Sequence, residues 1–190
     1  MSDVEVEQLK VDFGIFRENC IILRGTHNTF FSLYGADETQ QILRKAAAHF
    51  FDDLHALLIE SYFLRVGRVC DPAQSRGKAN LSLAYIVEQL EALDLASEEI
   101  RSLAMSITSY GKLTKNARNK AVAHNDLQAS RNGGILGGHT REEIDEFLQN
   151  VNQFTDMVAK QLGLDPLDYS VQAGPGDVID LIKLLKKATE

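Results

Sequence analysis

Cysteine, proline and tryptophan are scarce in this chain of 190 residues, which has two cysteines, three prolines and no tryptophan. Two cysteines are too few for a disulfide framework or a zinc cluster. We expect Cys20 and Cys70 to be small buried thiols within helices. The few prolines and the absence of long β-branched runs favour helix over strand. The sequence therefore predicts an all-α protein.

Long apolar runs and an excess of positive charge are also missing. No apolar run approaches the roughly 20 residues that a transmembrane helix needs, so we expect no membrane partner. The N-terminal sequence MSDVEVEQLK is acidic and lacks the basic and then apolar layout of a secretory signal, which predicts a cytoplasmic protein. The net charge of −7 argues against a surface that binds nucleic acid throughout, but it leaves room for a local basic site.

Helical periodicity and capping residues predict an antiparallel bundle of about five helices plus a short C-terminal helix. We expect the bundle to span residues 1–163, and residues 164–190 to form a linker and a short amphipathic helix that packs on it. The predicted elements are helices over Asp3–Tyr34 and from Asp37 to Asp71-Pro72, a polar loop over 73–79, a short helix capped by Asn80, a helix from Ser97, a loop over 128–139, and a helix from a Thr140–Glu143 capping box to Gly163.

Three arginines lie on the predicted inner faces of two helices. The predicted apolar line of the second helix consists of Leu43, Ala47, Phe50, Leu54, Leu57 and Leu64. Arg65 and Arg68 continue this side of the helix, and Arg118 follows the apolar line of the fourth helix. An arginine facing a core is costly unless it is paired or lines a cavity, so the three suggest a polar site. Snorkelling or structural ion pairs remain the alternative for Arg65 and Arg68.

Positive charge is concentrated around Arg118. Residues 111–131 contain five basic residues and a single acid, Asp126; the basic residues are Lys112, Lys115, Arg118, Lys120 and Arg131. In an acidic protein such a stretch is typical of a phosphate-binding surface, although a charge cluster can also be a solvated face. The histidine of this stretch, His124, follows Arg118 by six residues.

The same residues resemble a known family. Arg118-Asn119, four further residues and His124 match the R-x(4–6)-H signature of HEPN domains. The segments SYFLRVGRVCDP, GKANLSLAYIVEQL and ARNKAVAHND also resemble the AbiU-type branch of abortive-infection proteins. Taken with the predicted bundle, the resemblance covers about residues 3–163.

The resemblance implies a homodimer whose two motifs face each other across a cleft and cut RNA without a metal or another cofactor. His124 can move protons near pH 7, and Arg118 can hold the phosphate oxygens on which charge develops. Asn119 and Asn125 are candidate supporting residues. The candidate RNA-binding residues are Lys115, Lys120, Arg65 and Arg68. In an unbroken helix Arg118 and His124 lie about 120° apart with a rise of about 9 Å, so either the helix ends near Ala123 or the working pair combines both subunits.

Other functions stay open on the sequence. A non-catalytic module could bind RNA, a nucleotide or a protein through the same cleft. In a third interpretation the chain is a toxin held inactive by an antitoxin or regulatory protein partner. His49, Asp52, Asp53 and His55 have spacings that a metal site could use, but they project widely around their helix, which favours a solvated face. We therefore expect no metal site there.

Overall fold

The computed structural model describes residues 3–117, 140–168 and 174–189, and it confirms the all-α prediction. The described helices are α1 (Asp3–Tyr34), α2 (Asp37–Cys70), α3 (Leu83–Ala92), α4 (Glu98–Ala117), α5 (Arg141–Gln161) and α6 (Val178–Thr189). Two short strands, β1 (Gln74–Ser75) and β2 (Lys78–Ala79), pair in antiparallel fashion where the sequence predicts a loop. Arg76 and Gly77 between them both have positive φ, as a two-residue hairpin turn requires. The predicted loop over 128–139 lies outside the described residues.

The chain forms two compact units. The first contains Met1–Ile21 and Phe63–Asp168, and the second contains Ile22–Tyr62 and Tyr169–Glu190. The long helices α1 and α2 therefore each contribute to both units. The sequence predicts a different kind of division, between a family domain that ends at residue 163 and a C-terminal tail. That division stays a prediction. No helix among the described residues is long and apolar enough to cross a membrane.

The core of the first unit is built from the apolar faces of α1, α3, α4 and α5. Tyr110 of α4 stacks on Phe147 of α5, with ring centroids 4.3 Å apart and an interplanar angle of 20°. Phe16 of α1 meets Phe154 of α5 edge to face at 6.2 Å, and both side chains are fully buried. These aromatic contacts align the helices, because large rings bury the most area and favour defined geometries.

The second unit has its own small core. It consists of the buried residues Leu33, Leu43, Phe51 and Val178, with Tyr34, Leu54, Leu58, Ile182 and Leu185 packed against it. Residues of α6 thus join residues of α1 and α2, as the amphipathic pattern of the last helix predicts. Lys186 of α6 also pairs with Glu38 of α2 at 2.9 Å, and this hydrogen bond lowers the pKa of Glu38.

The predicted apolar line of α2 is confirmed for Leu43, which is buried, and for Leu54, which packs against the core, but it is wrong for its other members, which are exposed: Ala47, Phe50, Leu57 and Leu64. Phe50 and Leu57 are 61% and 60% exposed, whereas Leu43 and Phe51 are buried. The helix is interrupted at Ala47, whose φ of −164° and ψ of 73° are not helical. In a continuous helix Leu43 and Phe51 would point about 80° apart, and the break changes the phase so that both reach the core. Alanine favours helix strongly, so the local sequence does not signal this break.

The predicted N-caps at Thr140 and Ser97 are confirmed, and α2 begins at Asp37 as predicted. Thr140 and Glu143 form the predicted capping box, with the Thr140 hydroxyl accepting from the Glu143 amide at 3.2 Å and the Glu143 carboxylate accepting from the Thr140 amide at 2.9 Å. Ser97 accepts from the Ile100 amide at the start of α4. The prediction for Asn80 is wrong, because Ser82 caps α3 and Asn80 donates its side-chain amide to the Pro72 carbonyl.

Candidate functional site

The candidate site begins where the description of α4 stops. Ala117 is the last described residue of this helix and immediately precedes Arg118. The other predicted motif residues, Asn119, Lys120, His124 and Asn125, follow Arg118, and all five lie outside the described residues. The described part of the site is therefore the end of α4, which precedes the motif in the sequence.

A cavity of about 530 Å³ lies beside the last turns of α4 in the first unit. The end of α2 and the start of α3 complete its wall. Its charged lining residues are Lys112, Lys115 and Asp71, so cationic groups outnumber anionic ones. We call it the α4 cavity; its lining residue Lys115 precedes Arg118 of the signature by three positions in the sequence.

Lys115 and Lys112 place two ammonium groups at the α4 cavity. Both residues are exposed, and their spacing of three residues puts them on one side of the helix. Exposed lysines attract phosphate groups through long-range electrostatics without demanding a fixed geometry. Lys112 belongs to the basic stretch recognised in the sequence but was not named among the candidate RNA-binding residues; its spacing of three residues from Lys115 is the signal that adds it.

A close contact between α2 and α4 forms the floor of the α4 cavity. A β-carbon added to Gly111 would lie 2.4 Å from Cβ and 2.6 Å from Sγ of Cys70. The Cys70 thiol donates a weak hydrogen bond to the Ile107 carbonyl, with a sulfur-to-oxygen distance of 3.6 Å. Only glycine allows α4 to approach α2 this closely. Position 111 therefore controls where the end of α4 lies.

The two cysteines lie in different environments and form no disulfide. Cys20 is buried, and burial, with a smaller contribution from Cys70, raises the pKa of its thiol far above the ordinary value. A thiol of this kind stays protonated and unreactive. The prediction of a small buried thiol is thus confirmed for Cys20, whereas Cys70 is half-buried and lines the α4 cavity.

Arg65 and Arg68 do not line the α4 cavity. Arg65 is half-buried and interacts with other parts of the protein, and Arg68 is exposed in the last turn of α2. The predicted inward orientation is wrong for Arg68, because the helix face that it continues is the exposed one. Binding of RNA by the two arginines stays a prediction.

Tyr85 connects α3, which forms one wall of the cavity, to α1. Its hydroxyl donates a hydrogen bond of 2.7 Å to Oδ2 of Asp12. This hydrogen bond, together with smaller effects of burial and of the Asp12 charge, raises the pKa of Tyr85. The phenol therefore remains a donor throughout the neutral range.

The histidines and aspartates with metal-like spacing belong to the second unit. His49, Asp52 and Asp53 are exposed and His55 is half-buried. Within the described ranges, no group of three or more His, Cys, Asp or Glu side chains is placed to hold a metal ion. Asp52 and His55 do line a smaller cavity within this unit.

The comparisons with known proteins identify one family. Residues 13–181 match the AbiU2 family of HEPN domains. The matched range includes Arg118 and His124, and it extends beyond Gly163, where the sequence resemblance was expected to end. Neither the curated proteins nor the solved structures contain a match to this chain. Because the match covers most of the chain, the protein belongs to the AbiU2 family of HEPN-type domains, which is associated with abortive infection.

Proposed function

We propose that this protein is a cytoplasmic, metal-independent endoribonuclease that acts as a homodimer, as a toxin in phage defence or in a toxin–antitoxin pair. The observation that carries the proposal is the Arg118-Asn119-x4-His124 signature within the range matched by the AbiU2 family. HEPN domains are often ribonucleases. The α4 cavity supports the proposal, because it presents Lys112 and Lys115 just before the signature in the chain.

The proposed reaction is an internal transfer within the RNA strand. The ribose 2′-oxygen attacks the adjacent phosphorus, and the bond from phosphorus to the 5′-oxygen of the next nucleotide breaks. A neutral His124 takes the proton of the 2′-hydroxyl, and an imidazolium returns a proton to the leaving 5′-oxygen. The products carry a 2′,3′-cyclic phosphate and a 5′-hydroxyl, so protons balance and no metal is needed. The required 2′-hydroxyl restricts the activity to RNA.

The remaining site residues have binding and orienting roles in this proposal. Arg118 holds the phosphate oxygens with its planar guanidinium while negative charge develops on them. Asn119 and Asn125 orient the phosphate or the ribose. Flanking phosphates are bound by the cationic side chains Lys115, Lys120, Arg65 and Arg68, and by Lys112.

Dimerisation is a condition of this mechanism. In a continuous helix, Arg118 and His124 of one subunit are separated by about 120° around the axis and about 9 Å along it. A histidine from one subunit and an arginine from the other can converge on one phosphate if the two motifs face each other. An antitoxin or another regulatory protein that covers this cleft would keep the enzyme inactive.

The proposal is tested by incubating total RNA with purified wild-type protein, Arg118→Ala and His124→Ala, with EDTA present throughout. His49→Ala is a matched control, because His49 is an exposed histidine on α2. We expect cleavage by the wild type and by His49→Ala, with 2′,3′-cyclic phosphate ends, and a loss of at least a hundredfold in both motif variants. Light scattering establishes the oligomeric state of each variant.

Two results would overturn the proposal. Cleavage that persists in both motif variants would exclude the signature as the active site. RNA binding without products, from folded wild-type dimers, would instead favour a non-catalytic HEPN module that uses the same cleft.

A further inference from the structure

The second unit contains a cavity of about 280 Å³ beside the break in α2. It is lined by residues from both sides of the break and by Tyr34 at the end of α1. We call it the α2-break cavity. The cavity is separate from the proposed nuclease site in sequence and lies entirely within the second unit.

Two opposite charges line the α2-break cavity without forming an ion pair with each other. Arg44 comes from the segment before the break and Asp52 from the segment after it. Both residues are exposed, and within the described part of the chain neither side chain forms an ion pair or a hydrogen bond, so both groups are accessible to a ligand. A guanidinium binds carboxylates through two parallel hydrogen bonds, and a carboxylate accepts hydrogen bonds from an ammonium group. A ligand that carries both groups would satisfy both side chains.

The aromatic wall of the cavity favours a ring on that ligand. Tyr34, Phe51 and His55 all line the cavity. The ring centroids of Tyr34 and His55 are 4.8 Å apart at an interplanar angle of 89°. Phe30 packs against both rings, and the parts of the rings that line the cavity can contact a further aromatic group.

Hydrogen bonds hold this wall in place. The Tyr34 hydroxyl donates to the Phe51 carbonyl at 2.7 Å, and the Gln40 side-chain amide donates to the Tyr34 carbonyl at 2.8 Å. Burial, and to a lesser extent the nearby charge of Asp52, raises the pKa of Tyr34. This effect agrees with a position of the Asp52 carboxylate close to the phenol. The aromatic wall is thus held in place before a ligand enters.

From this arrangement we infer that the α2-break cavity binds a free aromatic α-amino acid, with the carboxylate on Arg44, the ammonium on Asp52 and the ring against Tyr34 and His55. The volume suits a small molecule of this size, since cavities for larger ligands extend from about 300 to 1,000 Å³. Inorganic anions would leave Asp52 and the aromatic wall without a partner. Simple amines would be repelled by Arg44.

Calorimetric titration of the full-length protein with L-phenylalanine tests the inference. Three further probes each lack one group of the amino acid and so measure what that group contributes to binding. Glycine has no ring, 3-phenylpropionate has no ammonium and phenethylamine has no carboxylate. We expect L-phenylalanine to bind at least tenfold more tightly than any of the three.

Two pairs of variants complete the test. Arg44→Ala and Asp52→Asn are each expected to weaken L-phenylalanine binding at least tenfold. Arg44→Ala should not weaken the binding of phenethylamine, and Asp52→Asn should not weaken the binding of 3-phenylpropionate. Lys45→Ala and Asp53→Asn are the matched controls, because these exposed neighbours do not line the cavity and should leave binding unchanged.

Several outcomes would overturn the inference. These are no detectable heat with L-phenylalanine from folded protein, equal losses in the cavity variants and their controls, or tighter binding of a mononucleotide such as AMP than of the amino acid. The readout is binding, so it is independent of whether the protein cleaves RNA.

Discussion

Gly111 of α4 packs against Cys70 of α2 so closely that a β-carbon at position 111 would lie 2.4 Å from that of Cys70. Because the Cβ atom of Cys70 is fixed by the backbone of α2, rotation of the side chain cannot relieve this contact. The two helices would have to separate to accommodate any larger residue. The same contact lies just ahead of the HEPN signature in the chain.

Gly111→Ala should therefore destabilise the protein, by about 1–3 kcal/mol, as overpacking of a well-packed core does. Urea denaturation followed by circular dichroism measures the effect. Gly14→Ala is the matched control, since an added β-carbon there meets no atom within 4 Å. It should leave stability unchanged or raise it by up to about 1 kcal/mol, because alanine favours helix. Combining Gly111→Ala with Cys70→Gly should restore part of the loss, and no recovery would contradict the contact as its cause.

Phe147→Ala should destabilise the contact between α4 and α5. Phe147 is 2% exposed and stacks on Tyr110, so its removal leaves a cavity and should cost about 3–5 kcal/mol. Thermal unfolding measures the loss. Leu113→Ala on the same helix pair should change stability by less than about 0.5 kcal/mol, because Leu113 is 59% exposed. Similar losses in the two variants would contradict the described packing.

Thr140→Ala should weaken the start of α5. The substitution removes the hydroxyl that accepts from the Glu143 amide and should cost about 0.5–2 kcal/mol. Thr140→Ser keeps the hydroxyl and should remain within about 0.5 kcal/mol of the wild type. Free energies of unfolding from urea titrations compare the three proteins, and equal stability of the alanine and serine variants would count against the cap.

Tyr85→Phe should lower stability by up to about 1 kcal/mol at pH 7, because the hydrogen bond to Asp12 is lost from a half-exposed site. The pKa of Tyr85 is raised in the folded protein, so this contribution is fully present below the unfolded pKa near 10 and is lost as the pH rises through the folded pKa. The stability difference between wild type and variant should therefore shrink above pH 10. A difference that stays constant from pH 7 to pH 11 would show that the tyrosine proton does not contribute.

Lys112→Ala and Lys115→Ala should each weaken RNA binding if the α4 cavity binds phosphates. Each substitution should also reduce the salt dependence of binding, lowering the slope of log K against log salt by about 0.7 for a single strand. Fluorescence anisotropy with a labelled single-stranded RNA measures both quantities. Lys160→Ala serves as the control, since this exposed lysine of α5 does not line the cavity. If the slope is unchanged in all three variants, Lys112 and Lys115 of the α4 cavity do not contact the RNA phosphates.

Elements whose ends depend on local chemistry were predictable from the sequence. The bounds of α1 and the start of α2 follow from Gly35 and Asp37, and the start of α5 follows from the pairing of Thr140 with Glu143. The signature of Arg118 and His124 was likewise readable, and the family match contains it. Glycine, proline and capping residues act within a few positions of the chain, so their effects need no knowledge of the fold.

The buried face of α2 and the close contact at Cys70 were decided by tertiary structure. The break at Ala47 brings Leu43 and Phe51 into one core, although alanine locally favours an unbroken helix. In the sequence, Gly111 indicates only a residue that lowers the helix propensity of α4. Its close contact with Cys70 of α2 depends on the packing of the two helices. The helices, the caps at Ser97 and Thr140 and the family signature could be predicted from the sequence, because they follow from short-range chemistry. Packing alone decided which faces are buried and which charges share a cavity, because both depend on residues that are distant in the chain.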